Sequence, residues 1–207
     1  MNYRHLHLAR FLLFNTLATA LLIAAYLQGW LDGILGAYLV ELSALNLLVF
    51  LYGLAHYGVK IWLYGRDLAA IEAGRPDPAT LPGAFVSRAR STSTDHGNRA
   101  EALRLRLTDR IVVVRHVADS LIFLGLIGTV IGFILALSGV DPDSAGKVEN
   151  VSAMVATLIN GMSVALNTTL VGAVFYIWLI INHRILVTCT VALISACHEW
   201  SEDDARA

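Results

Sequence analysis

Leu121-Ile-Phe-Leu-Gly-Leu-Ile-Gly-Thr-Val-Ile-Gly-Phe-Ile-Leu-Ala-Leu-Ser-Gly-Val140 is a run of 20 residues without one ionisable side chain. The hydrocarbon core of a bilayer is about 30 Å thick, and a helix rising about 1.5 Å per residue needs roughly 20 apolar residues to cross it. The run therefore reads as a membrane-spanning helix. Working outward, Val151–Asn182 carries no charged side chain either, and Phe11–Leu31 has no charge until Asp32. A fourth stretch, Gly33–Val59, is long enough and carries Glu41 and His56. The fold class that follows is all-α and integral to the membrane, with four transmembrane helices and a short cytoplasmic helical extension. Composition agrees: of the 207 residues 57% are hydrophobic and 15% charged, against about a quarter charged in soluble domains.

Charge gives the direction of the spans. Arg4 and Arg10 precede the first, Lys60 and nine arginines from Arg66 to Arg115 lie between the second and third, and Arg184 and Arg206 follow the fourth. Lys147 alone lies between the third and fourth. Positive residues gather on the cytoplasmic side of membrane proteins, so both termini and the middle segment are expected there. The first span is too long for the apolar part of a signal peptide and reads as an uncleaved helix.

In chain order the organisation is a transmembrane hairpin over 1–64 with spans at about 11–31 and 33–59. A cytoplasmic segment, 65–116, follows. Then come a second transmembrane pair over 117–187, with spans at about 118–140 and 151–183, and a tail, 188–207. Within 65–116, Gly74-Arg-Pro-Asp-Pro-Ala-Thr-Leu-Pro-Gly83 is turn-rich and Ser87–Asn98 is polar, so flexible chain is expected there. From Arg99 to Val117 apolar residues recur at helical spacing among charges, predicting a helix that runs straight into the third span. Its arginines fit a solvated face or one that meets anionic lipid. The short acidic tail after His198 is expected to fray. Trp30, Tyr38, Tyr57, Trp62 and Tyr64 fall where an interfacial aromatic belt belongs.

The third and fourth spans carry the informative side chains. Gly125, Gly128 and Gly132 share a helical face, and small residues on one face let membrane helices approach closely. In the fourth span Ala165, Thr168, Thr169 and Gly172 form a second small, hydroxylated stripe, with Asn160 and Asn167 beside it. Hydroxyl oxygens can replace part of a cation's hydration shell. The same pattern serves pure helix packing, in which each Thr bonds a carbonyl of its own helix. No catalytic residues are expected: Ser163 lacks a Gly-x-Ser-x-Gly setting and no HExxH occurs. Cys189 and Cys197 match no metal or redox spacing. Neither a metal nor a cofactor is implied, and no nucleic-acid partner.

Leu124-Gly-Leu-Ile-Gly-Thr-Val-Ile-Gly132 resembles the third-helix motif of the MotA/TolQ/ExbB family. Gly161-Met-Ser-Val-Ala-Leu-Asn-Thr-Thr-Leu-Val-Gly-Ala173 resembles that family's last helix, and is most similar to the flagellar-stator branch. The resemblance implies an ion-conducting stator subunit of a proton-driven, alternatively sodium-driven, membrane motor. It implies a homopentamer around two copies of a single-span, MotB/ExbD/TolR-like subunit whose membrane helix bears an aspartate. On that mapping Thr129, Thr168 and Thr169 face the ion path, and Gly125, Gly128, Gly132, Ala165 and Gly172 pack or line it. Glu41 and Asn167 are candidates for ion access; Glu41 also suits a plain interfacial position. Two departures stand out. The cytoplasmic segment is short for a flagellar stator, and Val164 occupies the place where the three-span branches often carry an acid. A stand-alone multi-span channel or transporter and a non-conducting membrane scaffold are the rival readings.

Overall fold

The computed structural model describes residues 3–28, 40–75, 77–89, 96–138 and 148–206. Five helices account for nearly all of them: α1 Tyr3–Leu27, α2 Val40–Glu72, α3 Leu81–Ala89, α4 His96–Ser138 and α5 Val148–Arg206. No strand occurs among the described residues. Four of the helices contain stretches long and apolar enough to cross a membrane: Leu8–Leu27, Ala44–Glu72, Glu101–Ser138 and Val151–Glu199. Their large apolar side chains point outward, including Leu13, Leu17, Leu21, Phe123, Ile127, Phe133, Leu166 and Ile177. A chain that exposes this much contiguous apolar surface needs lipid or other protein around it. It is a multi-pass membrane protein.

Helix lengths depart from the sequence expectation. At about 1.5 Å per residue α4 is about 65 Å long and α5 about 90 Å, two to three times a bilayer core of about 30 Å. Residues 199–206 continue α5, where a frayed tail was expected after His198. The physical reason is the absence of a stop signal: no Gly or Pro follows Gly172, so nothing interrupts the backbone ladder. Within the turn-rich part of the 65–116 segment, the described residues include a helix, α3 Leu81–Ala89. At the end of α2, Gly74 takes a φ of 68°. There Gly74 N–H donates to the Ile71 carbonyl (3.0 Å) and Arg75 N–H to the Ala70 carbonyl (2.9 Å). This is the paired closure that a left-handed glycine allows at a helix C-terminus. Thr80 then caps α3, its Oγ1 accepting from the Gly83 N–H at 3.2 Å. Fully buried Val86 anchors that short helix. Residues 29–39, 76, 90–95 and 139–147 lie outside the described residues, and with them Trp30 and Tyr38.

Contacts gather the chain into two compact units that cut across chain order. The first comprises Met1–Ala18, Leu54–His116 and Ile180–Ala207; the second comprises Thr19–Gly53 and Val117–Leu179. In the first, Leu103, Leu107, Ile111 and Val114 of α4 are buried, as are Leu186, Cys189, Leu193 and Cys197 of α5. Spacings of three and four place each set on one helical face. Tyr57 is wholly buried, its hydroxyl donating to the Val114 carbonyl at 3.1 Å. Tyr57 and Tyr64 therefore belong to the core of this unit and not to an aromatic belt. Trp62 stays exposed, with the Arg66 guanidinium 5.8 Å from its ring centre. A reciprocal amide pair ties α1 to α5. Asn15 Nδ2 donates to Asn182 Oδ1 at 2.8 Å, and Asn182 Nδ2 to Asn15 Oδ1 at 3.3 Å.

Candidate functional site in the second unit

In the second unit the buried stripes of α4 and α5 keep their spacing while the residues become small. Gly125, Gly128, Gly132 and Ala136 of α4 meet Gly161, Ala165, Thr168 and Gly172 of α5. The helices run antiparallel: Gly172 lies against Leu121 and Gly125, Thr168 against Gly128, Ala165 against Gly132, and Gly161 against Ala136. A Cβ built at Gly132 would fall 2.5 Å from the Ala165 nitrogen and 2.7 Å from the Gly161 carbonyl oxygen. One built at Gly172 would fall 2.7 Å from the Leu121 carbonyl oxygen. Backbone therefore touches backbone, the approach that small residues permit in membranes. Along the helices beside it, Phe50 of α2 stacks on Phe175 (4.4 Å between ring centres) and meets Trp178 edge-on at 5.1 Å.

The threonines take three distinct positions. Thr168 is wholly buried over Gly128, and its hydroxyl bonds the Val164 and Ala165 carbonyls of its own helix at 2.9 and 3.1 Å. Thr129 is half-buried, and its hydroxyl donates to the Leu126 carbonyl at 2.5 Å. Thr169 is exposed and donates across the pair to the Gly125 carbonyl at 3.2 Å. A Thr oxygen that has given its proton to a carbonyl still holds lone pairs that accept. Thr129 and Thr169 can thus present acceptor oxygens at the rim of the contact, whereas Thr168 is sealed inside it. Asn167 is half-buried and donates to Ser163 Oγ at 3.3 Å on the outer side of α5. Glu41 lies in the first turn of α2, with its side chain outside the described residues.

Sequence reasoning overlooked three features. Gly161 and Ala136 complete the contact, Asn15 and Asn182 pair, and Asn46 of α2 is wholly buried. Among the described residues neither amide atom of Asn46 has a hydrogen-bond partner. The signal was present as a lone amide inside the apolar run Leu45-Asn46-Leu47-Leu48.

Comparison with known protein families adds the deciding observation: the model of the MotA/TolQ/ExbB proton channel family matches residues 88–198, more than half of the chain. The chain belongs to the MotA/TolQ/ExbB proton channel family. The match takes in all of α4 and most of α5, so the close-packed pair lies wholly inside it. No curated protein and no solved structure matches the chain. As a MotA/TolQ/ExbB member it is an ion-conducting membrane protein of the energy-transducing kind. The family is one of channels and transducers rather than an enzyme class, and its members work with a partner subunit in the membrane.

Proposed function

We propose that this chain is the ion-conducting stator subunit of a proton-driven membrane motor. It would sit in the bacterial inner membrane with both termini in the cytoplasm, as a homopentamer around two copies of a single-span MotB/ExbD/TolR-like subunit. The gradient acts on an aspartate in the partner's helix, and the protein turns ion passage into rotation or other mechanical work. The observation that carries the reading is the rim of the α4–α5 contact, where Thr169 remains exposed while bonded to the Gly125 carbonyl. A carboxylate at membrane depth must be neutralised or given polar partners. The oxygens of Thr129 and Thr169 suit a protonated carboxyl or a partly dehydrated cation. Thr168, bonded within its helix, maintains the spacing that holds those oxygens at the rim. One elementary charge crossing 100 mV releases about 2.3 kcal/mol, enough for small repeated steps.

The test is ion flux in vesicles containing the chain and its single-span partner, read with a pH-sensitive dye on imposing a potential. The double variant Thr129→Val, Thr169→Val should lower proton flux about tenfold, roughly the worth of one hydrogen bond, while the complex still assembles. Flux unchanged in that variant would take Thr129 and Thr169 off the ion path, and no flux in the native complex would speak for a non-conducting scaffold. Flux through the chain without any partner would favour the stand-alone channel. Repeating the assay with sodium in place of a proton gradient decides the ion.

A further inference from the structure

Inside the first unit a cavity of about 280 Å³ opens between α4 and α5. Arg104, Thr108 and Arg115 of α4 and His183 of α5 supply its polar lining, with Val112 and Val187 between them. The α4 residues follow at intervals of four, four and three, so they share one face of that helix. His183 and Val187 are four apart on α5 and likewise share a face. The His183 ring is fixed from behind by Tyr57, which it meets edge-on with centres 6.1 Å apart.

The cavity has a definite sign. Both guanidinium groups keep their charge at any physiological pH, and among the described residues no carboxylate lines the cavity. Glu101 pairs with Arg104 at 3.6 Å from outside it, and both of those side chains are well exposed, so water screens the pair. An anion is the complement, and guanidinium groups bind phosphate through paired hydrogen bonds.

Depth selects the source of the phosphate. The spans read from the sequence begin at about 118 and end at about 183. Arg115 and His183 therefore fall at the edge of the hydrocarbon, where a layer of headgroups roughly 5–7 Å thick begins. Phospholipid phosphate is concentrated there, far above any soluble anion. Arg104 lies eleven residues before Arg115, about 16 Å along the helix, and adds attraction from the outer end. Basic pockets between membrane helices are recurrent sites for anionic headgroups.

We propose that this cavity binds the phosphate headgroup of an anionic phospholipid, with Arg115 as its main cation and His183 beside it. The site stands on the membrane-spanning character of the chain and uses neither ion passage nor a partner subunit.

The test is native mass spectrometry of the full-length chain released from micelles holding equal amounts of phosphatidylglycerol and phosphatidylcholine. The native protein should retain phosphatidylglycerol in preference, and Arg115→Gln should lower that retention about fivefold. Arg184→Gln removes a charge at the same depth from a residue that does not line the cavity, and should retain the lipid as the native protein does. Equal retention of the two lipids by the native protein overturns the proposal. So does an equal loss in Arg115→Gln and Arg184→Gln, which means diffuse attraction to the surface. Inorganic phosphate that raises the melting temperature in lipid-free detergent as much as phosphatidylglycerol does would give the cavity to a soluble anion and overturn the lipid. Should Arg115→Gln fail to fold, Val112→Trp decides the matter, since it narrows the cavity and keeps every charge. Lost retention in that variant supports the site, and full retention overturns it. No readout here depends on ion flux, so failure of the motor reading is told apart from failure of this one.

Discussion

Gly132 and Gly125 lie on the same stripe of α4 and face different demands. At Gly132 an added methyl meets backbone nitrogen and oxygen of α5 at 2.5 and 2.7 Å, and neither can yield without moving a helix. At Gly125 the nearest atoms lie at 3.3 Å, a contact that a shift of a few tenths of an ångström relieves. Alanine also favours a helix by about 1 kcal/mol over glycine. Gly132→Ala should therefore destabilise the protein by about 2 kcal/mol through overpacking, while Gly125→Ala stays within about 1 kcal/mol of native. Thermal unfolding of the two variants in the same detergent checks the order. That the glycines form one face was legible from their spacing. Which of them meets the facing backbone most closely was not, because that depends on the facing helix and on Gly161, whose mate Ala136 carries no distinguishing mark. Thr168 and Thr169 make the same point: adjacent in sequence, they differ by about 100° around the helix, so one is sealed and the other stays at the rim.

At the scale of elements, apolar run length was enough to find the spans but not the helices that contain them. α2 passes Val59 and stops at Glu72 because Gly74 closes it. No comparable stop exists in the last part of α5. Short α3 was hidden by the Pro and Gly residues that surround it. It exists because Thr80 caps it and Val86 is buried, and only a folded neighbour can reward that burial. Thr80→Ala should cost about 1 kcal/mol, seen as faster proteolysis near α3 with the rest of the chain protected. The Asn15–Asn182 pair joins helices far apart in sequence, and an isolated Asn gives no hint of its partner. Interhelical polar contacts in membranes contribute about 1 kcal/mol. Asn15→Leu and Asn182→Leu should each destabilise by about that amount, because the remaining amide loses its bonds across the helices. The double Leu variant should recover part of the loss. A double-mutant cycle in melting experiments reads the coupling, and strict additivity would mean the pair contributes nothing.

For the whole molecule, the distribution of residue size along α4 and α5 links fold to function. Leu103, Leu107, Ile111 and Val114 occupy the stripe in the first unit, and Gly125, Gly128, Gly132 and Ala136 continue it in the second. Large side chains bury apolar area in the first unit, and small ones let backbone meet backbone in the second. The same pair lies inside the family match, and the proposed ion route runs along its rim. That route needs a membrane aspartate that the apolar stretches of the last two spans do not supply, since neither Leu121–Val140 nor Val151–Asn182 holds an acid. The central claim is thus a claim about assembly. The measurement that tests it most directly is cryo-electron microscopy of the chain co-expressed with a candidate single-span subunit of the proposed kind. A ring of five copies around two single helices, with Thr129 and Thr169 facing the partner's aspartate, is the result the account predicts. A monomer or dimer with no central helix, its threonines turned to lipid, would contradict it.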